Sequence, residues 1–305
     1  MTSATSKTAI VITQLRSLLV YLGIALLWLL SKLPPALLSS IGSGLGVLIY
    51  LIPTRRRRIT ERNLELCFPE VELKERQRWA KKHFSAYIRA ALEHGMLVWG
   101  SKNDIQNKIH IKGLEHFLSV QNRPLIVFAP HFVGLDAGGI RLATEYPGSS
   151  MYARQSHPVL DALLRHARER FGMTKLVLRT DGIRPLIRHI KAGLPAYYLP
   201  DMDLGREGAL FVPFFGVPAA TVPGLSRLVK LTGATILPCI TWQEKHGKYT
   251  VEFFPAWDNW TGHDPYAETQ LMHNFIESQI RHAPWQYLWS HQRFKTRPQG
   301  DPSLY

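Results

Sequence analysis

Cysteine and acidic residues are both scarce in this chain of 305 residues. Its two cysteines, Cys67 and Cys239, are too few for a disulfide scaffold or for a zinc site built from several cysteines. The 23 Asp and Glu residues are outnumbered by 37 Lys and Arg residues, which leaves a formal net charge of +14. This excess favours an acidic partner, which is a nucleic acid, an anionic membrane surface or an acidic substrate.

Several signatures of known function are also missing. The chain has no G-x-S-x-G nucleophile elbow, no histidines at zinc spacing, no helix-turn-helix, zinc-finger or RNA-binding motif, and no internal repeat. We therefore predict no metal, no cofactor and no nucleic-acid partner. A non-enzymatic basic protein that binds membranes or nucleic acid stays as an alternative. The hydrophobic share of 46% supports a sizeable core and excludes a disordered chain.

The longest apolar segment lies near the N-terminus. Residues 17–31 carry no charge, and the uncharged residues 8–15 extend the segment to roughly 24 positions, interrupted only by Arg16. A helix needs about 20 apolar residues to cross a bilayer, so we predict a membrane anchor over residues 1–32. A cleavable signal peptide and a buried helix of a soluble domain are the alternatives, but no small-x-small cleavage site directly follows Leu30.

A second apolar stretch, residues 36–52, ends just before four consecutive arginines, residues 55–58. Its segment 42–46 reads Gly-Ser-Gly-Leu-Gly, but no strand precedes it and the G-x-G-x-x-G spacing is absent. The glycines instead favour close helix packing or a helix in the membrane interface. Arginines beside apolar helices are typical of the cytoplasmic side of an anchor, with a solvated helix face as the alternative. We assign 33–58 to an interfacial helix with the arginine run, and 59–305 to a catalytic domain.

Downstream of residue 60, apolar runs typical of buried strands alternate with helical patterns. The runs lie at 124–129, 196–199, 234–242 and 249–254. Helices are predicted at 138–144, 158–171, 182–192, 224–232 and 264–282, and within 71–100. This alternation predicts an α/β fold, a single domain with a mostly parallel central sheet flanked by helices. The N-terminal membrane-anchoring helix precedes it.

Polar residues follow two of the predicted strands. His131 and Asp136 come after the run 124–129, and Asp201 and Asp203 come after the run 196–199. Ligands bind at the carboxyl ends of strands in such sheets. His131 can take a proton from a hydroxyl at neutral pH, and Asp136 could accept a hydrogen bond from its other ring nitrogen. Without a serine or cysteine nucleophile, the pair favours a base that activates the substrate's own hydroxyl.

Other interpretations of these residues stay open at this point. A histidine and an aspartate five positions apart also occur by chance. Asp201 and Asp203 could be a metal pair, a substrate-orienting pair or turn residues before Gly205, although no third ligand stands at a recognised spacing.

The H-x4-D spacing after an apolar strand resembles the signature of glycerolipid-type acyltransferases. Further segments narrow the resemblance; they lie at 62–70, 152–158, 199–205, 211–219 and 284–298. Together, across nearly the whole chain, they resemble the lipid A biosynthesis (lauroyl/myristoyl) acyltransferase family, the late acyltransferases of lipopolysaccharide assembly. The P-E-G-T-R-like phosphate motif of the glycerol-phosphate branch is absent, which points away from phosphatidic acid synthesis.

The resemblance implies an enzyme of the cell inner membrane whose catalytic domain faces the cytoplasm. It would move a fatty acyl chain from acyl carrier protein to a hydroxyl of a hydroxyacyl chain on the lipid A precursor. In the resemblance, His131 corresponds to the family's base and Asp136 to its acidic partner. The residues expected to bind substrate are Arg154, Arg168, Arg170, Asp201 and Asp203, with the family's arginine at either 168 or 170. Acylation of another glycolipid, such as a phosphatidylinositol mannoside, is the alternative function.

Two further segments have open interpretations. The aromatic segment 211–215 either lines an acyl channel or belongs to the core. The basic segment 293–297 either contacts acidic headgroups or the carrier protein, or is solvated.

Overall fold

A central sheet of seven strands organises the chain in the computed structural model, which describes residues 17–305. The sheet strands are β1 (Ile109–Lys112), β2 (Leu125–Phe128), β3 (Gly148–Tyr152), β4 (Thr174–Leu178), β5 (Ala196–Tyr198), β8 (Thr235–Gln243) and β9 (Tyr249–Phe253). Two further strands, β6 (Leu210–Phe214) and β7 (Val217–Thr221), form a separate antiparallel hairpin. The order across the sheet is β1-β9-β8-β2-β5-β3-β4.

Most of the sheet is parallel, as the sequence predicts. Strands β8, β2, β5, β3 and β4 run in one direction, while β9 is antiparallel to β8 and β1 pairs parallel with β9. All four residues of β2 are buried, which is expected of a parallel strand covered on both faces. The predicted α/β class and the mostly parallel sheet are confirmed.

Helices cover both faces of the sheet. Those of the described residues are α1 (Ser17–Leu30), α2 (Pro35–Leu51), α3 (Arg55–Cys67), α4 (Leu73–Trp99), α5 (Lys102–Lys108), α6 (Leu114–Val120), α7 (Leu135–Leu142), α8 (Pro158–Glu169), α9 (Arg184–Lys191), α10 (Gly224–Thr232) and α11 (Pro265–His282). Alternate residues of β2 enter two separate cores, with Ile126 and Phe128 in one and Leu125 and Val127 in the other. This two-residue period places one core on each face of the sheet.

The first two helices leave large apolar side chains exposed. They are Leu18, Leu19, Tyr21, Leu22, Leu26, Trp28 and Leu29 on α1, and Leu37, Leu45, Leu48 and Leu51 on α2. Between residues 17 and 305, no single helix is long and apolar enough to cross a membrane, whereas α2 and α3 meet that requirement only as a pair bent by 89°. The predicted anchor over 1–32 lies partly outside the described residues and stays a prediction.

Two glycines of α2 allow it to pack closely on α4. A Cβ atom on Gly46 would lie 2.5 Å from the Phe84 carbonyl oxygen and from the Ser85 Cα, and one on Gly42 would lie 2.8 Å from the Arg89 Cα. Gly44 has no atom within 4 Å of the same position. The helix-packing interpretation of this glycine segment is therefore confirmed for Gly42 and Gly46.

This packing predicts opposite effects for two otherwise identical substitutions. Gly46→Ala should lower the free energy of unfolding by about 1–3 kcal/mol, because the added methyl group meets backbone atoms that cannot rotate away. Gly44→Ala, on the exposed side of the same helix, should be neutral or stabilising by up to about 1 kcal/mol. Thermal unfolding of both variants measures the difference, and equal melting temperatures would contradict the packing.

Candidate active site

The turn that follows β2 carries His131 and is held by a distant segment of the chain. Val133 donates its backbone N–H to the Gln286 carbonyl at 2.8 Å, and the Leu288 N–H donates to the His131 carbonyl at 3.0 Å. Gly134 lies against the backbone of β8, where a Cβ atom would be 2.7 Å from the Thr241 carbonyl oxygen. The glycine therefore lets α7 begin directly beside the sheet, and the C-terminal segment fixes the turn.

The ring of His131 is hydrogen-bonded to Asp201. Its Nδ1 lies 2.7 Å from Oδ1 of Asp201, and its backbone N–H donates to Oδ2 at 2.9 Å. Strand β5, which precedes Asp201, is the hydrogen-bonded neighbour of β2. The carboxyl ends of adjacent parallel strands thus bring together residues 70 positions apart, as the strand-end position of both clusters indicated.

Asp201 is ionised although it is only 1% exposed. Burial by itself raises the pKa of a carboxyl group, but the facing His131 ring, the hydrogen bonds from His131 and the more distant charge of Arg293 outweigh it and hold the pKa of Asp201 at about 2. Asp201 is therefore a carboxylate at neutral pH, so it can accept every hydrogen bond that it makes.

Asp136 does not contact the His131 ring as expected, and its partner is Arg168. The Arg168 guanidinium donates to Asp136 Oδ1 from Nη2 at 2.7 Å and from Nε at 3.1 Å. Helix α7 begins at Leu135, so Asp136 lies in its first turn and extends toward α8. Burial opposes ionisation, but Arg168, His94 and His131 together lower the pKa of Asp136 below its ordinary value. The expected Asp136–His131 hydrogen bond is wrong, and Asp201 takes that place.

The structure separates the three arginines expected at the site. Of the three, Arg168 is the one that is hydrogen-bonded to Asp136 among the described residues, and the substrate-binding role expected of Arg168 or Arg170 stays a prediction. Arg170 donates to the Gly100 carbonyl at 2.6 Å and lies over the Phe171 ring, so it ties the end of α8 to the end of α4. Arg154 is exposed after β3, in an open cleft along α8 that is also lined by Arg165. The substrate-binding role of Arg154 stays a prediction.

One histidine near the site was missed by the sequence reasoning. His94 of α4 has a buried Nε2 without a hydrogen-bond partner among the described residues. Burial lowers the pKa of His94, the charge of Asp136 raises it, and Arg168 lowers it. Its helix was predicted from apolar spacing alone, which gives no signal for a single polar residue facing a neighbouring helix.

Asp203 anchors the C-terminal segment beside the site. Its carboxylate accepts hydrogen bonds from the backbone N–H of Thr296 at 2.7 Å, from the Thr296 hydroxyl at 2.8 Å and from the Gly205 N–H at 3.0 Å. Both oxygens thus anchor neighbouring segments of the chain, and the substrate contact expected of Asp203 stays a prediction.

Arg293 lies in the core, so for this residue both interpretations of the basic segment 293–297, contact with a partner and solvation, are wrong. It is 2% exposed and donates to the Ala220 carbonyl at 2.9 Å and to the Thr221 hydroxyl at 2.7 Å. Its third partner is Nε2 of His273, at 3.1 Å. Burial and the adjacent Arg293 charge lower the pKa of His273 to about 3, so His273 is neutral and accepts that bond. Arg293 cannot contact headgroups or a carrier protein.

A mostly apolar cavity of about 120 Å³ begins at the Asp136–Arg168 pair. It lies between α7 and the sheet, and its lining includes Gly139, Ala143 and Tyr197. The aromatic segment 211–215 is not part of its lining. That segment forms most of β6, where Val212 and Phe214 are fully buried, so it belongs to the core.

Comparison with known proteins identifies the family. The chain matches the bacterial lipid A biosynthesis acyltransferases over residues 6–296, and it belongs to that family. It is 34% identical over 291 residues to the lipid A biosynthesis lauroyltransferase of Escherichia coli (strain K12), with 94% of each chain covered.

Two further relatives from Escherichia coli (strain K12) are named for different acyl groups. The lipid A biosynthesis palmitoleoyltransferase is 31% identical over 292 residues, with 94% of each chain covered. The lipid A biosynthesis myristoyltransferase is 30% identical over 289 residues, which cover 93% of this chain and 89% of the relative. The protein is accordingly an acyltransferase of lipid A biosynthesis.

Proposed function

We propose that the protein transfers a fatty acyl chain from the thioester of acyl carrier protein to a hydroxyl on a hydroxyacyl chain of the lipid A precursor, with His131 as general base. The observation that carries this proposal is the hydrogen bond between the His131 ring and the buried Asp201 carboxylate. The turn with His131 leads into α7, whose residues Asp136 and Gly139 line a mostly apolar cavity. Membership of the lipid A acyltransferase family supports the acceptor. The formal charge of +14 suits an acidic carrier protein and a phosphorylated lipid.

The hydrogen bond to Asp201 selects one form of the histidine. A carboxylate only accepts, so Nδ1 of His131 carries the proton. The second ring nitrogen, Nε2, then has a free lone pair, and the side chain is 18% exposed. A neutral imidazole held in this tautomer can accept the proton of an incoming hydroxyl, and the Asp201 carboxylate stabilises the imidazolium that forms.

The transfer proceeds through direct attack. The acceptor oxygen attacks the thioester carbonyl carbon while Nε2 of His131 takes its proton, and a tetrahedral oxyanion forms. Its collapse breaks the carbon–sulfur bond, and the departing thiolate takes the proton from the imidazolium. No acyl-enzyme is needed, so no serine or cysteine nucleophile is required. The Arg168 side chain is 26% exposed and borders the cavity, so we assign it and Asp136 to the binding of substrate near the reacting atoms.

Replacement of the base tests the mechanism. His131→Ala should lower kcat about 10²- to 10⁴-fold, the range of general-base assistance, while the protein stays folded. The measurement is transfer of labelled acyl groups from acyl carrier protein to a purified lipid A precursor. Exposed His263 gives a matched control, and His263→Ala should retain full activity. Activity of His131→Ala near that of the control would overturn the assignment, and transfer to a phosphatidylinositol mannoside instead would overturn the acceptor.

The cavity beside α7 is our candidate for the acyl-chain site. Gly139 lies in its wall, and a Cβ atom there would be 3.5–3.8 Å from the Tyr197 ring, which is ordinary van der Waals contact. A side chain longer than a methyl group would extend into the cavity without first displacing backbone. A larger side chain at Gly139 alone should therefore reduce the volume of the cavity that is available to an acyl chain.

Gly139→Leu should shift the donor preference toward shorter acyl chains, because the added side chain fills space that the end of a long chain would need. Competition between carrier proteins loaded with acyl chains of 8 to 16 carbons, followed by mass spectrometry of the product, measures the preference. Gly44→Leu adds the same side chain to an exposed helix position and should leave the preference unchanged. An unaltered preference in Gly139→Leu would place the acyl chain elsewhere.

We further propose that the protein is bound to the cytoplasmic side of the cell inner membrane through its N-terminal helices. The support is the exposed apolar surface of α1 and α2 together with the adjacent arginines. Arg55, Arg56 and Arg58 are exposed at the start of α3. Apolar burial and attraction to anionic lipids together give stable binding to a membrane surface.

Binding to vesicles tests the membrane proposal. The full chain should float with vesicles that contain about 30% anionic lipid, and substitution of Arg55, Arg56 and Arg58 by Gln should weaken binding on the order of 100-fold, since each basic residue near such a surface contributes about 1 kcal/mol. The charge-matched control replaces three exposed lysines outside the N-terminal helices by Gln. They are Lys112 in β1, Lys175 in β4 and Lys191 at the end of α9. Equal loss in both variants would contradict a specific role for the arginine run.

A further inference from the structure

We propose that Tyr287 is a positioning residue of this enzyme, which fixes the Asp201 carboxylate so that Asp201 can hold the His131 ring. The inference rests on the proposed role of His131 as the base. Tyr287 follows α11 by five residues and lies in the segment 284–298, which carries part of the family resemblance but to which no chemical role was assigned. It acts through Asp201 and touches neither substrate nor the reacting atoms.

The hydroxyl of Tyr287 completes the hydrogen bonds of the buried carboxylate. It donates to Asp201 Oδ2 at 3.0 Å, and the same oxygen accepts the backbone N–H of His131 at 2.9 Å. The other oxygen, Oδ1, is left to the His131 ring at 2.7 Å. With two donors on one oxygen and one on the other, rotation of the carboxylate about its Cβ–Cγ bond would break all three hydrogen bonds. Tyr287 therefore helps to hold the plane of the carboxylate in the orientation that directs one oxygen at the ring.

The position of Tyr287 is fixed independently of its hydroxyl. Its backbone forms a bridge with Phe132, and the adjacent residues Gln286 and Leu288 pair with the turn that carries His131. Its ring has edge contacts with Phe132 at 5.7 Å and with Trp289 at 5.1 Å between centroids. A phenylalanine would keep the bridge and both ring contacts, so Tyr287→Phe removes the donor alone.

The direction of the hydrogen bond follows from the ionisation of its partners. Burial, the Asp201 charge and the hydrogen bond to it raise the pKa of Tyr287 far above the ordinary value, whereas the opposite charge of Arg293 lowers it only in part. Tyr287 therefore stays protonated at any pH at which the enzyme works. Since Asp201 is ionised, the tyrosine hydroxyl donates and the carboxylate accepts.

The charges around His131 decide how loss of this donor changes the pH profile. The acidic groups that face the ring are Asp201 after β5 and Asp136 on α7, and the basic groups of the C-terminal segment are His291 and Arg293. Burial, Arg293 and His131 lower the pKa of His291 to about 4, so it is neutral at working pH. Asp201 is the only one of the four that is hydrogen-bonded to the ring among the described residues.

Two effects are expected when the tyrosine hydroxyl is removed. The carboxylate keeps its two hydrogen bonds from His131 but loses the third, so it rotates more readily and kcat should fall about 10-fold. KM for both substrates should stay within about twofold, because no substrate contact is lost. The carboxylate also keeps more negative charge toward the ring, which favours the imidazolium. The acid limb of the kcat/KM profile should therefore move to higher pH, by about half a unit.

The experiment compares three single variants of the full chain in the same acyl transfer assay between pH 5.5 and 9. They are Tyr287→Phe, Tyr249→Phe and His131→Ala. Tyr249 is a matched control, because it is equally buried and its hydroxyl also donates to a buried carboxylate, that of Glu93, on another part of the sheet. Tyr249→Phe should keep the wild-type kcat and acid limb, whatever its melting temperature.

The outcomes distinguish the positioning role of Tyr287 from the proposed role of His131 as the base. A lower kcat with a shifted acid limb in Tyr287→Phe, but not in Tyr249→Phe, supports the inference. If His131→Ala is inactive and Tyr287→Phe keeps the wild-type kcat and acid limb, the positioning role is overturned while the base stands. If His131→Ala retains activity, the base itself is overturned. Equal losses of kcat in both tyrosine variants with unmoved acid limbs would reduce Tyr287 to a structural residue.

Discussion

A single buried carboxylate constrains how the active-site half of this protein is arranged. Asp201 is almost completely removed from solvent, and an ionised carboxylate in that position is costly unless donors surround it. In the part of the chain that the structure describes, the residues next to Asp201 in sequence do not donate to it. The donors come instead from the turn after β2 and from the segment after α11, which are 70 and 86 positions away. The requirement to satisfy Asp201 therefore joins three distant parts of the chain at one sheet edge.

The same constraint explains why the C-terminal segment belongs to the site and is not a tail. Asn63 of α3 donates to the carbonyls of Trp289 and His291, and Arg56 donates to the carbonyl of Ser290. Asp203 holds the next turn through Thr296. The helix that begins with the arginine run thus supports, through backbone contacts, the segment that carries Tyr287. Helix α3 therefore contributes both to the surface proposed to face the membrane and to the support of the Asp201 carboxylate.

Local sequence predicted the parts of the fold that carry a continuous pattern. The runs that became β2 and β5 are apolar and end at prolines, so both strand ends and the polar residues after them could be found. Strand β3 reads Gly-Ser-Ser-Met-Tyr and β4 is an edge strand with a lysine, so backbone pairing defines them and no apolar run marks them. The order of strands arises from long-range pairing, which spacing along the chain does not encode.

The wrong prediction of a hydrogen bond between Asp136 and His131 also arises from long-range strand pairing. Asp136 was expected to hold His131 because it is near in sequence, but the start of α7 carries it toward Arg168. The partner of His131 is set instead by the adjacency of β2 and β5, a property of sheet order. The composition also does not describe the surface, since Arg141 and Arg293 are buried and donate to carbonyl groups within the chain. The free positive charge is consequently smaller than the net charge suggests.

The two carboxylates near His131, those of Asp201 and Asp136, differ in how accessible their oxygens are to a substrate. Asp201 is 1% exposed and uses both oxygens within the chain, which makes it a fixed electrostatic partner of His131. The Asp136 side chain is 32% exposed, and among the hydrogen bonds of the described residues only one of its oxygens is used, by Arg168. The pair also borders the apolar cavity. In the proposed mechanism the substrate supplies the nucleophilic hydroxyl, so the histidine must be held as a base and the substrate must be positioned beside it. The rigid Asp201 carboxylate keeps the ring in one tautomer. The accessible Asp136–Arg168 ion pair offers polar contacts to the approaching substrate groups.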